Sequence, residues 1–486
     1  MSQSAVDRPS VPSPAVPAAR VPGPAPATRR SRRWAALDRS ALVASAAVLY
    51  SLISLVRHDR METAAYDLGI FGQAVKAYAR LDPPLVPLKG PGANLLGDHF
   101  HPIVALLAPA YRVFPRVQTL LVAQALLLAV SAAPLHRLAA ERLGRSAAAA
   151  VTVAYLLSFG LQGLVVFDFH EVAFAVPLLS LVCASLLRER WGSACLFSLP
   201  LLLVKEDLFA TVATVGLYLL WRGQRRLGAG LAAGAVLVGS TVLLVVIPAL
   251  SSRGGYRYWD NLPGRSGGGS LGSLLAGEKL GTLALLLGVT CFLAAGSPLL
   301  VLAAPTLGWR LLSDNPMYWG HSAHYDAVLM PILFAALIDV LARLRTRHAP
   351  GAVRLVRIAP AATLAVALAL LPRTPFASVA RADPAAAGHR ASAAAELVRR
   401  VPDGALVSAS NDLAPQLVDR CTVILFPNTH PEFRPDFVLV DSTRLGGVPL
   451  PEALQRAYLD ELASGRSGFV LVGQQDGFML FRRSGR

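Results

Sequence analysis

Charge is scarce in this chain. Asp, Glu, Lys and Arg supply 16% of its 486 residues and 54% are hydrophobic, against about 25% charged in an ordinary soluble domain. That balance excludes a soluble fold and points to an α-helical membrane protein, because a spanning helix needs roughly 20 apolar residues and satisfies its own backbone. Alternation of apolar and polar residues is missing as well. Runs such as VTVAYLLSFGLQGLVVF (151–167) are apolar almost throughout, which excludes the strands of an outer-membrane barrel. Lysine is nearly absent, with Lys76, Lys89, Lys205 and Lys279 its only copies, so the formal charge of +16 is carried by arginine. The arginines mostly flank apolar runs, as at membrane boundaries, and the basic balance therefore implies no nucleic-acid partner. Four cysteines, Cys183, Cys195, Cys291 and Cys421, show no CxxC spacing, which excludes a zinc knuckle and a disulfide framework. Neither a Walker A nor an HExxH motif occurs, and the glycine-rich GRSGGGSLG (264–272) lacks the Lys-Ser/Thr of a phosphate loop. The first 28 residues hold no apolar signal core. Residues 1–40 read as a Pro/Ala-rich cytoplasmic tail that closes on RRSRRW (29–34).

Apolar runs are what the chain has in quantity. They fall at 41–56, 117–134, 146–166, 172–187, 192–204, 208–221, 227–250, 280–295, 298–312, 326–342 and 355–372, about eleven candidate spans over a transmembrane domain of 41–372. Basic short segments orient them: RRSRRW, HRLAAERLGR (136–145), RER (188–190), RGQRR (222–226) and RLRTRHAPGAVRLVR (343–357) all fall on the cytoplasmic side when the N-terminus is inside. The apolar piece PIVALLAPAYRVFP (102–115) is then re-entrant or interfacial. Gly230 and Gly234, spaced as GxxxG, are expected to permit close helix packing.

This orientation puts the chemistry on the outer face. Asp67, GDHFHP (97–102, with Asp98, His99 and His101), FDFHE (167–171, with His170 and Glu171), KED (Lys205, Glu206, Asp207) and HSAHYD (321–326, with His324 and Tyr325) all lie at outer span ends. One such motif alone is more often a solvated helix end. Several on one face suggest a shared polar cavity, since ionisable groups at span ends that face a cavity are usually functional. Carboxylates beside imidazoles can coordinate a divalent cation such as Mg or Mn, for which Asp98, His99, His101, Glu206 and Asp207 are the candidate ligands, or can transfer protons. Lys205, Arg253, Arg257 and Arg310, together with His324 and Tyr325, are candidates to bind a lipid phosphate. Snorkelling to headgroups is the competing role for each arginine.

After a linker at 373–390, residues 391–486 read as a small extracytoplasmic α/β domain. It has a helix at ASAAAELVRRV, strands at ALVSAS, TVILFP and FVLVDS, a helix at PEALQRAYLDELAS and a hairpin turning at Asp476-Gly477. Ser408, Ser410, Asn411 and Asp412 end the first strand, where either a ligand contact or a turn and helix cap by Asn411 or Asp412 is expected.

The segments YDLGIFGQAV, GDHFHP, FDFHE, LLLVKED, SPLLVLAAPTLGWRLLSDN, HYDAVLMP and VSASNDLAPQLVDRCTVILFPN carry a resemblance. Over about residues 41–442 the chain is similar to the bacterial membrane-protein family of domain of unknown function 2079, and through it resembles the GT-C class of membrane glycosyltransferases. The resemblance implies a mainly α, polytopic fold in the cytoplasmic membrane. It also implies transfer of a sugar from a polyprenyl-phosphate donor on the outer face, with membrane lipids and the lipid-linked sugar as partners. It puts Asp67 at the position of the acid that engages the acceptor, and His170 and Glu171 where a second outer loop carries a further acid. Asp98, His99 and His101 have no equivalent in that class, and the doubled DxD-type motif of some members is absent. The alternative expectation is a flippase or envelope-assembly scaffold that handles a lipid-linked substrate without chemistry.

Overall fold

A computed structural model describes residues 29–485 except Arg253, Arg257, 259–276, Asp314, Ser322 and His348. Most of the tail, the glycine-rich segment, and Arg253 and Arg257 thus lie outside the described residues. The molecule is mainly helical, and each apolar run forms a helix. Among the described residues, five helical stretches have the length and hydropathy to cross a membrane: α1 (Arg33–Asp59), α4 (Gln118–Leu143), α10 (Arg225–Leu250), Pro316–Arg345 and α14 (Pro350–Arg373). A sixth is the pair α5 (Arg145–Leu156) and α6 (Phe159–Val166), bent by 40°. The other runs make shorter apolar helices: α3 (Pro102–Val113), α7 (Glu171–Leu187), α8 (Trp191–Leu203), α9 (Leu208–Trp221), α11 (Gly277–Gly288) and α12 (Pro298–Leu312). α3 is too short for a hydrocarbon core of roughly 30 Å, in keeping with an interfacial segment. Short α2 (Ile70–Ala79) packs beside it, and α13 (Met330–Arg345) is the buried second part of the Pro316–Arg345 stretch.

Where helices meet closely, small residues permit it, though not the pair expected. Gly230 and Gly234 face open space. The contact between α9 and α10 is made by Gly216 and Gly228 instead. A Cβ on Gly228 would fall 2.6 Å from the Gly216 carbonyl oxygen, so the two backbones touch where neither residue has a side chain.

Basic segments collect at one end of the bundle. Arg145 pairs with Asp38, and Arg345 donates to the Arg142 carbonyl at 2.8 Å. Arg188 pairs with Glu141 at 2.8 Å and Arg222 with Glu189 at 2.6 Å. At the opposite end stand the loops before α7 and α9, the turn His324–Leu329 and the segment between α1 and α4.

On that second end sits the small α/β domain. The stretch expected as a linker is itself helical, forming α15 (Pro375–Arg381) and the start of α16 (Pro384–Arg400). Asp383 caps α16 through the Ala385 N–H at 2.9 Å, which explains why this helix begins before the apolar pattern does. Five strands, β1 (Leu406–Ala409), β2 (Thr422–Leu425), β3 (Phe437–Asp441), β4 (Phe469–Gln475) and β5 (Phe478–Arg483), make one sheet in the order β2-β1-β3-β5-β4. β1 runs parallel to β2 and β3, β5 pairs antiparallel with β3 and β4, and α17 (Glu452–Ala463) precedes β4. The hairpin turns at Asp476-Gly477, both with positive φ, as the turn chemistry requires. The domain is stitched to the segment that follows α1. Gln73 donates to the Val423 carbonyl, Lys76 to the Val418 carbonyl, and the Asp419 carboxylate accepts from Tyr111 and from the Val117 N–H.

Candidate active site

Three loop segments meet against the stretch between α1 and α4. The turn before α7 ends on His170 and Glu171, whose side chains pair at 2.8 Å. The break between α8 and α9 supplies Lys205, whose ammonium lies 3.1 Å from the other Glu171 oxygen. Both partners are buried, so each needs the other: an unpaired charge there would carry its full desolvation cost. The turn ahead of α13 brings His324, stacked on His170 with ring centroids 3.5 Å apart and buried without a hydrogen-bond partner for either nitrogen among the described residues. Tyr325 follows, in contact with the rings of His324, Trp309 and Tyr318.

The DHFH segment is fixed beside them. Gly97 passes so near the end of α10 that a Cβ would overlap the Leu250 carbonyl. This close approach aims the next residues inward. His99 bonds to Glu206, which also accepts from the Phe100 N–H at 3.0 Å and the Tyr256 hydroxyl at 2.9 Å. His99 stacks on Tyr258. Burial alone would raise Glu206, but His99 and Lys205 hold it down to about 2. Asp98 pairs with Lys89. His101 is buried against Phe71, which also packs on His170, and burial pushes its imidazole down to about 4, so it is neutral.

Asp67 is half-buried in the turn Ala65–Gly69. Loss of hydration pushes it up to about 8. The Glu171 and Asp168 carboxylates add to the rise, and Lys205 and Lys89 oppose it. The preceding backbone is clamped from both sides: the Ala64 N–H donates to Asp168 at 2.7 Å, and the Ala65 and Tyr66 N–H groups donate to the Asn411 backbone and side-chain oxygens at 2.7 and 3.3 Å.

Most of the expected residues therefore converge. Asp67, Asp98, His99, His101, His170, Glu171, Lys205, Glu206 and His324 form one connected group drawn from distant parts of the chain. The metal expectation names Asp98, His99, His101, Glu206 and Asp207. Among the described residues, no three His, Cys, Asp or Glu side chains are placed to hold one ion. Asp98 is neutralised by Lys89 and His99 is engaged by Glu206. Asp207 starts α9, where burial lifts its carboxyl to about 6. Arg310 is buried too and is turned away from phosphate binding: it pairs with Asp326 at 2.9 Å and donates to the Tyr318, Gly320 and Tyr325 carbonyls. It thus shapes the turn that presents His324. Lys89 and Tyr256 were assigned no role from the sequence, and Asp168 and Asp326 stood inside FDFHE and HSAHYD without a role of their own. Lys89 had a signal, as one of few lysines in an arginine-rich chain.

With this geometry in hand, the comparisons with known proteins are informative. The chain belongs to the family of predicted membrane proteins DUF2079, whose pattern covers residues 57–480. No curated protein matches it. Among solved structures it is similar to ArnT from Cupriavidus metallidurans bound to undecaprenyl phosphate, with a TM-score of 0.55 at 15% identity over 91% of this chain and 97% of that one. The apo state of the same ArnT gives 0.54 at 15% identity, over 92% and 98%. The chain shares its overall fold with this polytopic membrane protein.

Proposed function

We propose that the protein transfers a sugar from a polyprenyl-phosphate donor to an acceptor on the outer face of the cytoplasmic membrane. The observation that carries this reading is the position of Asp67, an elevated carboxyl next to Lys89, Lys205 and Glu171 in a GT-C-like fold. In the step proposed, the Asp67 carboxylate takes the proton of an acceptor hydroxyl or amine. The acceptor atom bonds to the anomeric carbon while the bond from that carbon to the phosphate oxygen breaks, and polyprenyl phosphate leaves. Lys205 and Lys89, whose charges act on Asp67, would balance the phosphate, each loosening its carboxylate partner as the donor enters. His170, His324 and His101 supply neutral polar walls. ArnT crystallised with undecaprenyl phosphate supports this donor class.

The test is turnover of polyprenyl-phosphate sugars by the purified protein in nanodiscs. Asp67→Asn keeps the volume and removes the base, and should lower the rate about 10²–10⁴-fold with normal folding. Equal turnover by wild type and Asp67→Asn sinks the reading and leaves a lipid-linked-substrate handler.

A further inference from the structure

A cleft of about 520 Å³ opens between the membrane domain and the α/β domain, lined in part by Thr63 and Ala64 of the backbone that leads to Asp67. Its size is that of a small-molecule site. In the sheet the strand order turns back at β1, with β2 on one side and β3 on the other. Both parallel pairs run in the same sense, so the crevice at the carboxyl ends of β1 and β3 is where sheets of this kind bind ligands. The cleft stands there. Asn411 and Asp412 follow β1, and Arg444 and Gly446 follow β3. Arg57 and Glu62 come from the membrane side.

Charge narrows the ligand. Arg57 is taken up by Asp168 at 2.8 Å and by the Glu62 carbonyl at 2.6 Å. Glu62 pairs with Arg57 as well, at 3.8 Å, so Arg57 is engaged by acids on both sides, and Arg444 lines the cleft beside Asp412, whose carboxyl offsets it, a combination poor for phosphate. Burial and the adjacent Asp441 carboxylate lift Asp412 to about 7, so it takes up a proton far more readily than an ordinary aspartate. An exposed guanidinium, a carboxyl and an amide around a chiefly polar cleft, with Met61 and Val379 on its walls, match a neutral ligand bearing adjacent hydroxyls and C–H faces. We infer that this cleft binds a saccharide and recognises the sugar portion of the acceptor, the acceptor role resting on the glycosyltransferase reading above. Asn411 makes the connection: it lines the cleft and holds the Ala65 and Tyr66 amides, so an occupant sits against the strand of backbone that positions Asp67.

The test is saturation-transfer NMR on the full-length protein in nanodiscs with free glucose, galactose, mannose, arabinose, xylose and N-acetylglucosamine, with inorganic phosphate as the anion control. At least one sugar should show transfer. Its Kd should rise tenfold or more in both Asp412→Ala and Arg444→Ala, with unchanged melting temperature, and Asp412→Asn should weaken binding less. Binding should survive Asp67→Asn, so that loss of turnover and loss of sugar binding report on different claims. The inference is overturned if no sugar binds, if binding is unaltered in both cleft variants, or if phosphate displaces the sugar. Should both cleft variants misfold, protection of a cysteine at Ala382→Cys by the sugar replaces them, and absence of protection counts against the site.

Discussion

At the scale of residues, the site is governed by which charges are left without water. Asp67 titrates from 3.8 in an exposed chain to about 8 in the fold. Between those values the folded protein holds a proton that the unfolded chain has released, so stability falls as pH rises through this window and the penalty is complete above about 8. Asp67→Asn cannot ionise. Its melting temperature in detergent should match wild type at about pH 3 and exceed it at about pH 9; a lower value at the higher pH would show that the ionised carboxylate is stabilising. For turnover the sign is opposite, because a base acts ionised, and kcat/KM of the wild type should climb with pH toward about 8. Arg310 and Asp326 illustrate a different use of charge. Each side chain is 1% exposed, and removing one strands the other. Arg310→Met should cost about 3–5 kcal/mol, while Arg310→Met with Asp326→Leu should restore most of it, as read from denaturation in mild detergent. Equal losses in the single and double variants would refute that account. The sequence exposed Asp67, the histidines, Glu171 and Lys205, because polar residues stand out at the ends of apolar runs. The pairings of Lys89 and Asp326 were not legible, since their partners lie farther along a loop or across a turn, which no spacing rule reports.

Among elements, hydrophobic runs were legible as helices, and so were the strands and the Asp476-Gly477 turn of the α/β domain, because each obeys a local rule: sustained apolarity, β-branched content, or a residue pair that tolerates positive φ. Helix contacts were less legible. The GxxxG spacing at Gly230 and Gly234 is real, yet a spacing names a face of the helix without saying what lies opposite. Gly228, two residues earlier, meets Gly216 of the neighbouring helix. The two sites should therefore respond in opposite directions. Gly228→Ala inserts a methyl into backbone and should destabilise by about 1–3 kcal/mol. Gly230→Ala adds a methyl in open space and improves helix propensity, and should stabilise by about 0.5–1 kcal/mol. Thermal unfolding of the two variants decides it, and a more stable Gly228→Ala would show that the hairpin of α9 and α10 is looser than described. Helices also fill the linker at 373–390, where Pro375 and Pro384 stand at helix starts, a place where proline fits.

For the whole molecule, the decisive feature is its polarity from end to end. Arginine-rich loops collect at one end of the bundle, and the carboxylates, imidazoles and the α/β domain at the other. We propose from the positive-inside charge bias that the arginine end lies in the cytoplasm, the orientation that a sugar donor used on the outer face would need. In a background lacking Cys183, Cys195, Cys291 and Cys421, Arg137→Cys and Asp403→Cys offer exposed probes of the two ends, their native side chains being 60% and 82% accessible. An impermeant thiol reagent should label Asp403→Cys in intact cells and Arg137→Cys only after permeabilisation. The opposite pattern would turn Asp67 and its cluster toward the cytoplasm. It would leave the helices, the ion pairs and the sheet untouched, and would remove the proposed reaction by denying it the face on which the donor is used.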